Sequence, residues 1–148
     1  MSTIIGFATV NTDFFPIVVV DFNGNIETDD EFERFLNFWR QLYKNQQDFT
    51  FIFNTENMSI PNLKYCYQMA SFIKELHDMP YQYLQKSIMI VKNDIILKML
   101  NFIFWIQPPV ADVYLTKDFK LDIDIMDKKI IDHILKNTSE MKKINVVN

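Results

Sequence analysis

The side chains best suited to catalysis are two histidines and one cysteine, and they are spread along the sequence. His77 and His133 fall near the ends of two different predicted helices, and Cys66 lies between Tyr65 and Tyr67 on one of them. A histidine base needs a positioned partner, and a buried cysteine usually behaves as a small hydrophobic residue. We therefore predict that the chain is not an enzyme and has no catalytic residue.

Two groups of acidic residues could suggest a metal site. Asp122, Asp124 and Asp127 lie in one apolar segment, but the glycine and the terminal glutamate of an EF-hand loop are missing. Residues 29–31 are all acidic and open a predicted helix, where the positive end of the helix dipole favours carboxylates. The chain has only 2 glycines, so it has no glycine-rich phosphate loop. We predict neither a metal nor a cofactor.

The composition is that of one globular domain. The chain has 148 residues, of which 49% are hydrophobic, and a net charge of −4, which disfavours nucleic acid as a partner. A single cysteine can form no internal disulfide. The first residues lack the features of a signal peptide, and no apolar run approaches the roughly 20 residues of a spanning helix. These features predict a cytoplasmic protein without a transmembrane segment.

Alternating strands and helices must position any site that the chain has. Strands are expected over 3–10, 14–22, 49–54, 87–91 and 113–115, and helices over 29–44, 61–77, 94–106 and 127–136. This order predicts an α/β fold with a mixed, mostly parallel five-stranded sheet and about four helices. We expect a single domain over 1–148, with its core at about 3–137 and a frayed C-terminal tail.

The third predicted helix ends in an unusual aromatic segment. Five consecutive apolar residues, 102–106, precede Gln107 and two prolines. One helical stripe cannot hold all five, so the helix is either covered on two sides or displays an apolar patch. Burial in the core is the more common outcome. The alternative is a lipid or partner groove formed by Phe102, Trp105, Ile106, Pro108 and Pro109.

The order of elements, from about Phe14 to Phe119, resembles the SpoIIAA-like superfamily, which contains STAS domains and the lipid-binding CRAL-TRIO (Sec14-like) domains. The motif that carries the resemblance is the stretch 80–93, PYQYLQKSIMIVKN, followed by an apolar helix, a proline break and a strand. It is similar to a CRAL-TRIO stretch in which a turn with tyrosine and proline leads into a strand. The family's proline after that strand is replaced here by Lys92-Asn93-Asp94.

The resemblance implies a non-enzymatic regulatory or protein-interaction module of the smaller, STAS-like type. The anti-sigma-factor antagonists of that group carry a phosphorylatable serine after the strand that follows the first helix. The matching stretch here is 54–59, which offers Ser59 and Thr55 but lacks the aspartate-serine-serine-glycine pattern. The alternative is a small lipid or apolar-ligand domain like CRAL-TRIO. The partner would be a protein or an apolar ligand, and peripheral membrane contact stays open.

Overall fold

A computed structural model describes residues 2–144 and contains one sheet and four helices. The strands are β1 (Ser2–Ile5), β2 (Ala8–Asn11), β3 (Ile17–Gly24), β4 (Phe49–Met58), β5 (Leu84–Ile90), β6 (Asp112–Thr116) and β7 (Lys142–Lys143). The helices are α1 (Asp29–Lys44), α2 (Leu63–His77), α3 (Asp94–Ile106) and α4 (Lys128–Lys136). Short 3-10 turns cover Ile123–Ile125 and Thr138–Glu140.

The seven strands lie in the sheet in their order along the chain. The pairs from β3 to β6 are parallel, whereas β1–β2, β2–β3 and β6–β7 are antiparallel. The prediction of one mixed α/β sheet with four helices is confirmed. The prediction of five strands, mostly parallel, is wrong, because antiparallel strands extend both edges of the sheet and parallel pairings make up only half of the total.

The N-terminal segment forms two strands where one was predicted. The chain reverses at Gly6, whose φ of +51° is a conformation that other residues rarely adopt. A Cβ atom at this position would also collide with the side chain of Glu31 in α1. The positive φ therefore favours glycine here, and the turn divides the apolar run 3–10 into β1 and β2.

The segment after α4 is folded as far as Ile144, where a frayed tail was expected. Residues 142–143 pair with β6, and the buried Ile144 donates its N–H to the carbonyl oxygen of Val113 at 2.8 Å. The rest of the predicted tail, 145–148, lies outside the described residues. β4 is also longer than predicted, because Asn57 and Met58 continue the pairing with β3.

Side-chain caps set the helix starts. Thr28 accepts a hydrogen bond from the Glu31 N–H at the start of α1, and Asn93 accepts one from the Ile95 N–H at the start of α3; each directly precedes the predicted start of its helix. The start of α2 was predicted two residues too early, because Asn62 is the residue that caps it, through the Lys64 N–H.

The sheet separates two apolar layers. Helices α1, α2 and α3 pack on one face, where they form the larger core. Helix α4 packs on the other face, where Ile131 and Ile134 meet Val19, Ile52 and Ile88. Cover on both faces explains the continuous apolar runs of the central strands. Within residues 2–144, no helix has the length and apolar character needed to span a membrane.

Candidate functional site

An apolar cavity of about 120 Å³ lies between the sheet and helices α1–α3. Its floor is formed by alternate residues of the parallel strands, including Phe22, Phe53, Met89 and Val113. These side chains point toward the three helices because successive residues of a strand face opposite sides of the sheet. The cavity therefore depends on the register of four adjacent strands.

Aromatic rings from β3, β4 and α1 form one wall of the cavity. The Phe22 ring stacks on the Phe53 ring at 5.7 Å between centroids and meets the Phe35 ring edge-on at 5.6 Å. Trp39 continues this wall and contacts Phe35 at 6.2 Å. Interlocked rings of this kind have few alternative rotamers, so this wall is well defined.

The opposite wall comes from α2 and α3 and is more adaptable. It includes Cys66 and Ile73 of α2 and Leu100 of α3, with the half-buried Met69 and Met99 on the two helices. Methionine has three rotatable bonds and a polarisable sulfur, so it adjusts to irregular shapes. This side of the cavity can accommodate a guest with small movements of side chains.

Among residues 2–144, those that line the cavity include no charged side chain and contribute few polar atoms. Thr55 donates its hydroxyl hydrogen to the carbonyl oxygen of Ile90 at 2.9 Å, and Tyr65 donates to Asp29 at 2.8 Å. The Trp39 Nε1–H is buried without a hydrogen-bond partner in the described part of the chain. Burying a charge without a partner is costly, so the cavity suits an uncharged ligand.

Cys66 is the nucleophilic side chain in the lining. Burial raises the pKa of its thiol, and the protonated thiol is a poor nucleophile. It contributes an apolar surface to the cavity, which matches its predicted role as a small hydrophobic residue.

The aromatic segment of α3 is divided between the two sides of the helix. Ile103 and Phe104 are buried and line the cavity, whereas Trp105 is 74% exposed. Phe102 is half-buried, and its ring stacks with Trp105 at 6.4 Å and meets Tyr67 of α2 edge-on at 5.7 Å. We call Tyr67, Phe102 and Trp105 the aromatic patch.

The five predicted groove residues do not form one groove. Phe102 and Trp105 belong to the aromatic patch, and Ile106 is 36% exposed. Pro109 instead lines the cavity. The carbonyl oxygen of Pro108 accepts a hydrogen bond from His77 Nε2 at 2.9 Å, which ties the chain after α3 to the end of α2.

The two histidines lie in different layers. His77 ends α2 on the cavity side of the sheet, whereas His133 belongs to α4 on the opposite face and packs against the Phe119 ring at 5.5 Å. The structure gives each a structural contact and does not bring them together.

A polar contact joins β3 and β4 within the second half of each strand. Asp21 accepts a hydrogen bond from Asn54 Nδ2 at 2.9 Å. Burial, together with the nearby carboxylates of Asp122, Asp124 and Glu56, raises the pKa of Asp21. Within residues 2–144, no group of acidic, histidine or cysteine side chains is arranged to hold a metal ion.

The aspartates of the suspected calcium segment act as caps. Asp122 Oδ1 accepts from the Asp124 N–H, and Asp127 Oδ1 accepts from the Ile130 N–H at the start of α4. Ser59, the predicted phosphosite, is half-buried between β4 and α2, and its N–H donates to the carbonyl oxygen of Gly24 at 3.0 Å.

A wider polar groove of about 590 Å³ lies between the start of α3, the end of β6 and α4. It carries both signs of charge, including Lys117 and Lys142 against Asp94 and Glu140, and Lys117 lies 4.0 Å from Asp94. Because these charges offset one another, the groove has no clear preference for a charged ligand. The apolar cavity is the more specific site.

The search against protein-family models and the search of curated proteins both find no match to this sequence. The resemblance to the SpoIIAA-like superfamily therefore stays a prediction. The function must be argued from the geometry of the sites.

The cavity as a whole was not predicted from the sequence, although Pro109 was among the candidate residues. Its lining residues, such as Phe22, Phe53 and Leu100, have the types and spacing of ordinary core residues. Nothing in that pattern distinguishes a filled core from one that leaves space.

Proposed function

We propose that the protein binds a small, uncharged, apolar molecule in the cavity between the sheet and helices α1–α3. The observation that carries this proposal is a space of about 120 Å³ lined without a charged side chain. In another protein, an engineered apolar cavity of about 150 Å³ stays free of water and binds benzene or xenon. A molecule of the size of one aromatic ring therefore matches the space here.

A ligand that fills the cavity should stabilise the folded protein. In mutant proteins, stability falls by about 24 cal/mol for each Å³ of cavity that a truncated core side chain leaves behind. A ligand that fills the space recovers part of this free energy through new contacts.

The same size argues against a long-chain lipid. Pockets for drug-sized ligands have volumes of about 300–1,000 Å³, well above the space here. Within the suggested superfamily, the proposal is therefore closer to the apolar-ligand alternative than to the regulatory module, and the ligand is smaller than the lipids of CRAL-TRIO proteins.

Binding of toluene to the purified protein tests the proposal. We expect toluene to shift methyl signals of cavity residues such as Ile73 and Leu100 in NMR spectra, and to raise the unfolding temperature. Native mass spectrometry of freshly purified protein should also reveal any small ligand that was retained. A protein that takes up no toluene and carries no retained ligand would contradict the proposal.

Cys66→Leu and Tyr67→Leu form a matched pair for this test. Cys66 lines the cavity, whereas Tyr67 is the next residue of α2 and is 52% exposed. The Cys66 variant adds bulk inside the cavity and should weaken toluene binding at least tenfold. The Tyr67 variant should bind toluene as the wild type does. Equal binding by both variants would place the toluene elsewhere.

We propose, as a second function, that the aromatic patch contacts a protein partner. This proposal is supported by the position of Trp105, which is 74% exposed and lies beside Phe102 and Tyr67. Exposed aromatic side chains are enriched at the centres of protein interfaces. This function corresponds to the interaction module that the sequence suggests. It uses the outer side of α3 and does not compete with the cavity.

Trp105→Ala tests the second function against Tyr81→Ala, since Tyr81 is 69% exposed and lies outside the patch. Both variants should change the free energy of unfolding by no more than about 0.5 kcal/mol, as expected for surface positions. In quantitative affinity purification, a partner held by the patch should be lost with the first variant and kept with the second. A decrease of roughly 3–5 kcal/mol in the free energy of unfolding of Trp105→Ala would instead show that Trp105 is a core residue.

A further inference from the structure

The floor of the cavity contains one hydroxyl group that the fold does not use. Ser87 is buried, with 5% of its surface exposed, and it lies on the cavity face of β5. Unlike Thr55, whose hydroxyl donates to Ile90, Ser87 has no side-chain hydrogen bond to any residue in 2–144. Within the described residues, the fully enclosed side-chain polar atom without a partner is Trp39 Nε1, so the unpartnered Ser87 oxygen keeps some accessible surface, as expected of a group that faces the space of the cavity.

The sheet register places this hydroxyl among apolar neighbours. Ser87 pairs with Phe51 of β4 on one side and with Val113 of β6 on the other. Met89, two residues further along β5, lies on the same face and also lines the cavity. These neighbours offer the Ser87 side chain no polar group, so a molecule in the cavity is the partner that remains available.

We infer that Ser87 is the polar anchor of the ligand site, and that the ligand is a small hydrocarbon ring or chain carrying one neutral hydrogen-bonding group. This inference rests on the proposed function. A hydroxyl both donates and accepts, so Ser87 can bind an alcohol, a phenol, a ketone or an amide. A carboxylate or an amine does not fit, because the lining has no opposite charge.

A hydrogen bond to Ser87 would give the site a ligand specificity that apolar packing cannot supply. A hydrophobic pocket discriminates weakly between ligands of the same shape, whereas a buried hydrogen-bonding group favours ligands that satisfy it. Ser87 should therefore select phenol over toluene among molecules of nearly equal size. The methionines of the opposite wall determine which ligand shapes fit. Ser87 determines where the polar atom of the ligand lies.

Ser87→Ala, measured with phenol and toluene as the two probes, tests the inference. A neutral hydrogen bond contributes about 0.5–1.5 kcal/mol, so the variant should bind phenol roughly 2- to 13-fold more weakly. Its affinity for toluene should stay within about twofold of the wild type, because toluene makes no hydrogen bond. Titration calorimetry or NMR titration gives both dissociation constants.

Thr50→Val is the matched control, because Thr50 is a buried strand residue on the opposite face of the sheet. It should leave both affinities unchanged. If toluene binds but Ser87→Ala leaves the phenol affinity unchanged, the anchor is wrong and the proposed function stands. If neither probe binds the wild type, both the anchor and the proposed function are wrong.

Discussion

At the scale of single residues, the clearest electrostatic feature is Asp21 in the second half of β3. Its pKa is raised mainly by burial, and the hydrogen bond from Asn54 offsets this only in part. The folded state therefore holds the Asp21 proton more tightly than the unfolded chain does. As the pH rises from the ordinary value of 3.8 through the raised value, this residue lowers the stability of the fold.

Asp21→Asn should stabilise the protein at neutral pH and have little effect at pH 3, where the wild-type carboxyl is protonated. The asparagine oxygen can still accept the hydrogen bond from Asn54, so the variant mainly removes the charge. Urea unfolding at several pH values gives the difference in the free energy of unfolding. A difference that is constant with pH would show that the charge is not responsible.

Some local features could be predicted from residue types alone. Thr28 and Asn93 directly precede the predicted starts of α1 and α3 and cap them, whereas Asp127, predicted as the first residue of α4, is its cap. The role of Ser87 could not be predicted in the same way. A serine in an apolar strand becomes informative only when its neighbours in space are known.

At the scale of elements, α1 and α2 are joined across their outer surface by Arg40. Its guanidinium donates to both carboxylate oxygens of Glu75 at 2.7 and 3.0 Å and to Glu33 at 2.8 Å. It also lies over the Phe72 ring, 5.1 Å from the centroid. Because α1 and α2 form two sides of the cavity, this contact helps to hold the cavity closed.

Arg40→Met should lower the free energy of unfolding by roughly 1 kcal/mol, since a bidentate charged pair is stronger than an ordinary surface pair but is partly exposed here. Urea unfolding measures the loss, and Arg34→Met is the control because Arg34 is an exposed residue of the same helix. Equal losses of stability in the two variants would mean that the two hydrogen bonds from Arg40 to Glu75 contribute nothing to the free energy of unfolding.

The hydrogen bond from Arg40 lowers the pKa of Glu75 below its ordinary value of 4.5. The stability from this pair is therefore present above pH 4.5 and is lost as the pH falls through the lowered value in the folded state. The effect of Arg40→Met should shrink over the same range. High salt should shrink it as well, because the pair is near the surface.

At the scale of the whole molecule, the sequence predicts the alternation of strands and helices but not the edges of the sheet. Periodic apolar patterns identify α1, α3 and the central strands because local burial produces those patterns. β7 has only two residues, both lysines, and depends on pairing with β6. Such a strand has no local signal, so its position follows from tertiary contacts alone.

The cavity is also a property of the whole molecule. It results from how rings and methionines of seven elements and their loops meet, and a sequence pattern gives the types of these residues without their separations. Cys66→Leu fills part of this space, so the same variant that loses toluene binding should gain about 0.5–2 kcal/mol in stability. With Cys66, the wild-type protein would therefore keep the cavity open at the expense of some stability.

The cavity lies on the face of the sheet opposite α4, so the two faces respond differently to a ligand. At the centre of the sheet, side chains are completely buried on both faces, Val19, Ile52 and Ile88 on the α4 side and Val18 and Val20 on the other. On the other side, the space and the flexible methionines lie under α2 and α3. A ligand would therefore be accommodated by movements of the methionine side chains of α2 and α3, while the backbone of the sheet and of α4 stays in place.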